Sequence, residues 1–157
     1  MNGRLSILFA SLCLLSSMPL SAARDVLEEP VSLRAEADLI KAVALTLQHA
    51  ITTSEQFQGS NPALRKFADR EIKKNRSRLL KLGKRVPENI PPVRQLAIAP
   101  DNEQSYVRAM LRNHARLLEL IEHGSGLPLS ADIKRTMEAL SSNASAERTF
   151  LYTMEKS

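Results

Sequence analysis

The amino-acid sequence predicts an all-α protein built as a four-helix bundle. The chain has 157 residues with only five glycines and eight prolines, too few for the many tight turns of an all-β protein. Four segments of about 22 to 27 residues repeat apolar side chains at three- and four-residue steps, and capping signals mark their ends. Amphipathic helices of this length bury their apolar faces by packing as a bundle.

The composition is that of a single folded domain. Apolar residues make up 43% of the chain and charged residues 25%, close to the averages for soluble globular proteins. This balance excludes a wholly disordered chain, a collagen-like repeat and a membrane protein with several spans. The formal net charge of +5 is modest, so its distribution along the chain is more informative than its total.

Residues 1–23 are predicted to be a cleaved signal peptide. Arg4 gives a short positive start, residues 5–15 form an apolar stretch, and residues 21–23 are small, as cleavage requires. The apolar stretch is shorter than the ~20 residues of a transmembrane helix, so no membrane span is expected in the mature chain. We therefore expect a periplasmic or secreted protein. Cleavage removes Cys13, the only cysteine, which leaves a domain without disulfides.

The domain itself is expected to occupy residues 32–157, after a flexible acidic lead-in at residues 24–31. The first helix should begin near Ser32 and end before residues 58–60 (QGS). Its apolar face consists of Leu39, Val43, Leu47, Ala50, Ile51 and Phe57.

The second helix starts at a strong capping signal, Asn61 followed by Pro62, and is expected to reach about Val86. An asparagine side chain accepts hydrogen bonds from free backbone N–H groups, and proline at the first helical position has no N–H to lose. The predicted core face is Leu64, Ala68, Ile72, Asn75, Leu79, Leu82 and Val86.

A proline-rich connection at residues 87–100 separates the second and third helices. Asp101 and the glutamine three residues later resemble a capping box that opens the third helix, residues 102–123, which closes at Gly124. Ser130 is expected to cap a fourth helix that runs to the C-terminus. The connection is long enough to span a helix, so both an up-down bundle and a crossover are compatible with the sequence.

Polar residues interrupt the apolar faces near the middle of the helices. Asn75 lies in the second helix, His114 in the third and Glu147 in the fourth, while His49 lies at the edge of the apolar face of the first. Helices packed side by side bring such positions to a similar height, so these side chains should face one another. They predict either a hydrogen-bonded polar layer that fixes helix register or a metal site of inward-facing His and carboxylate groups.

Met110 and His114 form a Met-x-x-x-His pair on one face of the third helix, a fragment suited to copper. With His49 and Glu147 they are the candidate metal ligands, for copper or iron. The alternative is that Met110 fills the core, as methionine at apolar positions usually does. A di-iron site would use Glu-x-x-His motifs, and the sequence contains none. The primary expectation is therefore a protein without a cofactor.

The most pronounced charge feature is a basic run in the second helix. Residues 65–85 hold ten basic and two acidic side chains, a net charge of +8. The candidate partner-binding residues on this cationic face are Arg70, Lys73, Lys74, Arg78 and Lys81. Suitable partners are an envelope protein or an anionic lipid or lipopolysaccharide surface. Export and the lack of interleaved aromatic residues argue against a nucleic acid. The alternative is that these cations only face solvent and that acidic residues at the start of the domain partly balance their charge.

Catalytic motifs are lacking in the mature sequence. It has no cysteine nucleophile, no Gly-x-Ser-x-Gly elbow, no phosphate-binding glycine loop and no His-Glu-x-x-His. His114 near Glu147 could act as a general base, but the sequence supplies neither a nucleophile nor a substrate pocket. We therefore predict a protein that is not an enzyme.

Two stretches resemble an exported bacterial ferritin-like family of unknown function, whose members are often labelled outer-membrane or periplasmic proteins. Residues 61–68 (NPALRKFA) are similar to the family's segment that opens the second helix, and residues 106–110 (YVRAM), followed by His114, to the opening of the third. The resemblance covers residues 36–155 and implies a ferritin-like bundle. Where the family has further histidines, this chain has Asn75 and residues 146–147 (AE).

A related exported family linked to copper has paired histidines on a bundle helix, and residues 48–49 (QH) and 113–114 (NH) keep one of each pair. Together these observations predict a non-enzymatic bundle of the bacterial envelope, stress-related, that binds a protein or anionic partner through its basic helix. The alternative is a metal-binding ferritin-like bundle of the copper or iron class.

Overall fold

The computed structural model describes residues 31–84, 100 and 102–156, which form four α-helices. These are α1 (Glu36–Glu55), α2 (Pro62–Gly83), α3 (Glu103–Gly124) and α4 (Ala131–Glu155). The described residues contain no β-strand, and the predicted all-α four-helix bundle is confirmed. None of these helices has a stretch apolar enough to cross a membrane.

Three of the sequence predictions fall on residues that the structure does not describe. The signal peptide at residues 1–23 and all but the last residue of the acidic lead-in lie outside the described part of the chain. The same holds for residues 85–99, which include Val86 and most of the proline-rich connection.

Helix α1 begins at Glu36, four residues later than predicted. The carboxylate of Asp38 accepts hydrogen bonds from the backbone N–H groups of Arg34 and Ala35, each at 3.0 Å. These bonds hold Ala35 in an extended conformation, with φ of −148°, so the chain before it cannot join the helix.

Helix α2 starts as predicted. The side-chain oxygen of Asn61 accepts from the N–H groups of Ala63 at 2.9 Å and Leu64 at 3.2 Å, and Pro62 is the first helical residue. The helix ends at Gly83 rather than near Val86.

The capping box of α3 lies one residue later than predicted. The N-cap is Asn102, whose side-chain oxygen accepts from the Ser105 N–H at 2.8 Å. The predicted cap, Asp101, lies outside the described residues. The Ser105 hydroxyl accepts in return from the Asn102 N–H at 3.1 Å, so a serine replaces the predicted glutamine. Helix α3 ends at Gly124, as expected.

Ser130 is the N-cap of α4, but its side chain makes no capping hydrogen bond. Its backbone N–H instead donates to the carboxylate of Glu36. This bond places the start of α4 beside the start of α1.

Contacts between helix ends define the topology. The N–H of Asn61 donates to Glu103 at 2.7 Å, so α2 and α3 start at the same end of the bundle. Ser54, near the end of α1, bonds to Tyr106, near the start of α3. Around the bundle the order is α1, α2, α4, α3, with neighbouring helices antiparallel. Because α2 ends and α3 begins at opposite ends, the connection between them is a crossover, which settles the alternative that the sequence left open.

One of the four sides of this bundle is open. The backbones of α1 and α2, α1 and α3, and α3 and α4 approach one another closely along their lengths. Over the described residues α2 and α4 lack such an approach and are bridged mainly by side chains. Phe67 stacks on Phe150 with ring centroids 5.2 Å apart, and Lys74 binds Glu147. A groove therefore runs between α2 and α4.

The core consists of two apolar clusters separated by a layer of polar side chains. One cluster is centred on Leu39, Val43, Leu82, Leu120, Ile133 and Met137. The other contains Ala50, Leu64, Phe67, Tyr106, Met110 and Leu151. The buried polar residues between them are Thr46, His49, Glu71, Asn75, Asn113 and His114.

Candidate functional site

Three ionisable side chains from three helices meet beneath the floor of the α2–α4 groove. They are Glu71 of α2, His114 of α3 and Glu147 of α4, and one ligand atom of each lies within 4.8 Å of the others. The side chains of Glu71 and His114 are 2% and 3% exposed, and that of Glu147 is 19% exposed. Such groups are stable in a protein interior only when they are paired and hydrogen-bonded.

His114 is held through both of its ring nitrogens. Its Nδ1 lies 2.7 Å from the carbonyl oxygen of Met110, which can only accept a hydrogen bond. Its Nε2 lies 2.9 Å from Glu147 Oε2 and 3.8 Å from Glu71 Oε2. One contact therefore fixes the ring against its own helix, and the other joins α3 to α4.

Lys74 completes the network from the groove side. Its ammonium contacts Oε1 of both Glu71 and Glu147. On the other side of Glu71, the amide of Asn75 donates to Oε2 at 3.1 Å, and Arg78 donates to the oxygen of Asn75 at 2.9 Å. Both carboxylates are thus held by cationic or amide donors, and α2, α3 and α4 are tied together at one height.

Burial and charge act in opposite directions on these groups. Burial alone raises the pKa of Glu147, but hydrogen bonds from His114 and Lys74 and their positive charges outweigh it and lower the pKa to about 2. Burial lowers the pKa of Arg78, against the opposing attraction of Glu147 and Glu71. Glu147 is therefore an anion throughout the physiological range.

The structure brings together only part of the predicted metal-ligand set. His114 and Glu147 are in contact, as the sequence predicted, whereas Met110 joins them through its backbone carbonyl. The sulfur of Met110 lies 3.9 Å from the hydroxyl of Ser54 on α1. His49 of α1 does not join this cluster. Its Nδ1 lies 3.3 Å from the side-chain amide nitrogen of Asn113.

Glu71 is the site residue that sequence reasoning missed. In the sequence it is one of the two acidic side chains in the basic run, and the apolar spacing predicts Ile72 on the core face instead. In the structure Glu71 is 2% exposed and Ile72 only half-buried. The spacing contained the signal, because Glu71 lies one helical turn before Asn75 and three residues after Ala68, both on the predicted core face.

The donor set bears directly on the metal expectation. One imidazole nitrogen and two carboxylates suit iron, manganese or zinc better than copper(I), which prefers sulfur ligands. The Lys74 ammonium, however, already bridges both carboxylates, and His114 Nε2 is in contact with Glu147. A metal ion would have to displace Lys74 and break the contact between His114 and Glu147. The residues present therefore fit a resident metal poorly in this arrangement.

All five predicted partner-binding residues line the α2–α4 groove, which has a volume of about 800 Å³. These are Arg70, Lys73, Lys74, Arg78 and Lys81. Asn143, Ala146 and Glu147 of α4 form the opposite wall, and the Phe67–Phe150 pair closes one end. Glu147 is the only acidic side chain among the lining residues of this groove.

The five cations are not equivalent. Lys74 and Arg78 are half-buried and engaged in the network beneath the groove. Arg70 is exposed and lies over the ring of Phe67, 5.9 Å from its centroid. Lys73 and Lys81 are exposed, and neither has an ion-pair partner among the residues that the structure describes. Lys74 and Arg78 therefore stabilise the floor of the groove, whereas the exposed cations on its rim can contact a ligand.

No protein-family model matches the chain, and comparisons with curated proteins and with solved structures also give no match.

Proposed function

We propose that this protein is an exported, non-enzymatic binding protein of the bacterial envelope that holds an anionic partner in the α2–α4 groove. The observation that carries the proposal is the convergence of five cationic side chains on one concave surface that presents a single carboxylate. Clefts lined by charge of one sign focus the electrostatic potential and raise the local concentration of oppositely charged ligands.

The distribution of acidic partners supports ligand binding over a merely solvated basic face. Both carboxylates near the floor are occupied by His114 and Lys74, so they do little to neutralise the rim. Lys73 and Lys81 lie on the same helix face as Arg70, within about 16 Å along the helix axis. Their mutual repulsion is unfavourable, and a bound anion would relieve it.

The family proposal has one structural support. A four-helix bundle with a single long crossover is the connectivity typical of ferritin-like folds, and α2 and α3 here start at the same end of the bundle. The proposal that the chain is a divergent member of the exported ferritin-like family rests on this connectivity and on the two similar sequence stretches.

The groove proposal is tested by charge reversal at its rim. Lys73→Glu together with Lys81→Glu removes charge from the groove without touching the network, whereas changes at Lys74 or Arg78 would also disturb folding. A matched control reverses Arg112 and Lys134, which are exposed on α3 and α4 outside the groove. Circular dichroism should give equal helicity for all three proteins.

Binding of fluorescein-labelled polyglutamate, followed by anisotropy at low and high salt, gives the readout. We expect the wild type and the control to bind at low salt. The groove variant should bind at least about tenfold more weakly, a loss of about 1.4 kcal/mol. Equal weakening in the control would contradict the proposal, and so would failure of the wild type to bind either polyglutamate or anionic vesicles.

A second candidate function is metal binding at Glu71, His114 and Glu147, whose ligand atoms lie within 4.8 Å of one another, and it requires that the metal ion displace Lys74. The test is elemental analysis of the purified protein, together with thermal denaturation in the presence of Fe²⁺, Mn²⁺, Zn²⁺ or Cu²⁺. Stoichiometric metal that is lost in His114→Ala would favour this function. No bound metal and no thermal shift would eliminate it.

A further inference from the structure

We propose that the anionic partner is an acidic α-helical segment of another protein, which lies along the α2–α4 groove. This inference rests on the proposed function and narrows it to one class of ligand. The spacing of the cations, the shape of the groove and the apolar surface at its end support an acidic helix as the ligand.

The cations form a row with the repeat of an α-helix. The rim cations Arg70, Lys73 and Lys81, with Lys74 and Arg78 half-buried beneath them, follow one another at three- and four-residue steps. This is the repeat of about 5.4 Å along an α-helix. A helix with glutamate or aspartate at three- and four-residue steps presents anions at the same repeat. A single phosphate or carboxylate headgroup would reach only one or two of these cations.

The shape of the groove fits an elongated ligand. The gap between α2 and α4 continues beyond Lys81 to Ile133 and Thr136, near the start of α4. This extension also includes Asp132, which pairs with Arg135. The gap is therefore a long trough between two antiparallel helices whose backbones do not pack closely. A helix laid into a groove between two helices is a recurrent mode of peptide recognition.

Apolar surface lies at one end of the trough. Phe150 lines this end and is only partly buried against Phe67, with the two ring centroids 5.2 Å apart. An amphipathic helix could place an apolar side chain against Phe150 while its acidic side chains face the row of cations. The combination of charge and an aromatic anchor favours a helix with both properties.

A planar membrane surface fits the same residues less well. Arg78 and Glu147 lie at the floor of a concave surface between two helices, where a flat array of headgroups does not reach. Membrane-binding helices instead present their cations and apolar residues on an outward-facing surface. Binding to anionic vesicles is therefore an outcome that separates the two ligand classes.

The test compares two labelled peptides of identical composition. In the first, glutamates recur at three- and four-residue steps and a leucine lies near one end; in the second, the same residues are distributed around all faces of the helix. A third arm uses phosphatidylglycerol vesicles with phosphatidylcholine vesicles as reference. Each arm is measured with the wild type, Lys73→Glu/Lys81→Glu and Arg112→Glu/Lys134→Glu.

We expect the wild type to bind the first peptide at least about tenfold more tightly than the second, and the groove variant to lose this preference while the control keeps it. Equal affinity for both peptides, or binding to anionic vesicles alone, would overturn the inference and leave the anion-binding function standing. Failure to bind either peptide, polyglutamate or vesicles would overturn both.

Discussion

His114 Nε2 lies 2.9 Å from Glu147 Oε2, and this contact joins α3 to α4 below the floor of the groove. Lys74 reaches the same carboxylate from α2. Glu147 is thus the point at which three helices meet, on the one side of the bundle where helix backbones do not pack closely. The network thus ties α2 to α4 beneath a groove that is lined by mutually repelling cations.

Acid should weaken the protein through Glu147. Its pKa in the folded state is about 2, below the ordinary value of 4.5, so its contribution to stability is present above about pH 4.5 and is lost as the pH falls towards 2. Glu147→Gln should lower the free energy of unfolding at pH 7 by about 2 kcal/mol. Between about pH 4.5 and pH 2 the Glu147→Gln variant should lose less stability than the wild type.

Urea denaturation at pH 7 and pH 3 measures both effects for Glu147→Gln. The matched control is Glu138→Gln on the same helix, whose side chain is exposed and has no ion pair among the described residues. A control that behaved like Glu147→Gln at both pH values would show that the network does not cause the acid response.

Removing the buried carboxylate of Glu71 should be strongly destabilising. Glu71→Gln leaves Lys74 with one carboxylate and takes an anion from beside His114, so we expect a loss of about 3 kcal/mol in the free energy of unfolding. Asp69→Asn, two residues earlier on the exposed face of α2, should change it by less than about 0.5 kcal/mol. Similar urea midpoints for the two variants would contradict the structural role of Glu71.

The two N-caps should differ in strength. Asn61→Ala removes a side chain that accepts two backbone hydrogen bonds and should cost about 1 kcal/mol. Ser130→Ala removes a side chain that makes no capping bond and should cost less than about 0.5 kcal/mol. Thermal denaturation of both variants gives the comparison. A larger loss for Ser130→Ala would place the stronger cap on α4.

Two glycines at helix ends provide a matched pair. A Cβ added at Gly83 meets nothing within 4 Å, so Gly83→Ala should stabilise the protein by about 0.5 to 1 kcal/mol. A Cβ at Gly124 would lie 2.6 Å from Leu39 Cδ2, which is fully buried, so Gly124→Ala should destabilise it by about 1 to 3 kcal/mol. Stabilisation by both substitutions would contradict the close approach of α3 to α1.

Local signals predicted the helices well because the residues that specify them are neighbours in sequence. Asn61 and Pro62 fix the start of α2, and Gly124 ends α3. The predicted start of α3 was one residue too early, because two adjacent residues offered similar capping chemistry. Asp101 and Asn102 can both cap a helix, and only Asn102 has the serine partner at the required spacing.

The site was predictable only in part, because its geometry depends on which helices are neighbours. His114 and Glu147 were identified as interruptions of apolar faces, but Glu71 was hidden by the basic residues around it. The sequence also left the order of the helices open, and only the crossover makes α2 and α4 neighbours. The five cations could therefore be placed on one helix face but not on the wall of a groove.

Mapping the ligand by NMR tests the central claim most directly. The ¹⁵N-labelled wild type would be titrated with the acidic helical peptide, and shifts of backbone amide resonances recorded for each residue. We predict that the largest shifts occur at residues 70–81 of α2 and 143–150 of α4, with little change at Arg108 and Arg112 on the exposed face of α3. Shifts centred on α3, or spread evenly over all basic residues, would contradict the assignment of the groove as the binding site.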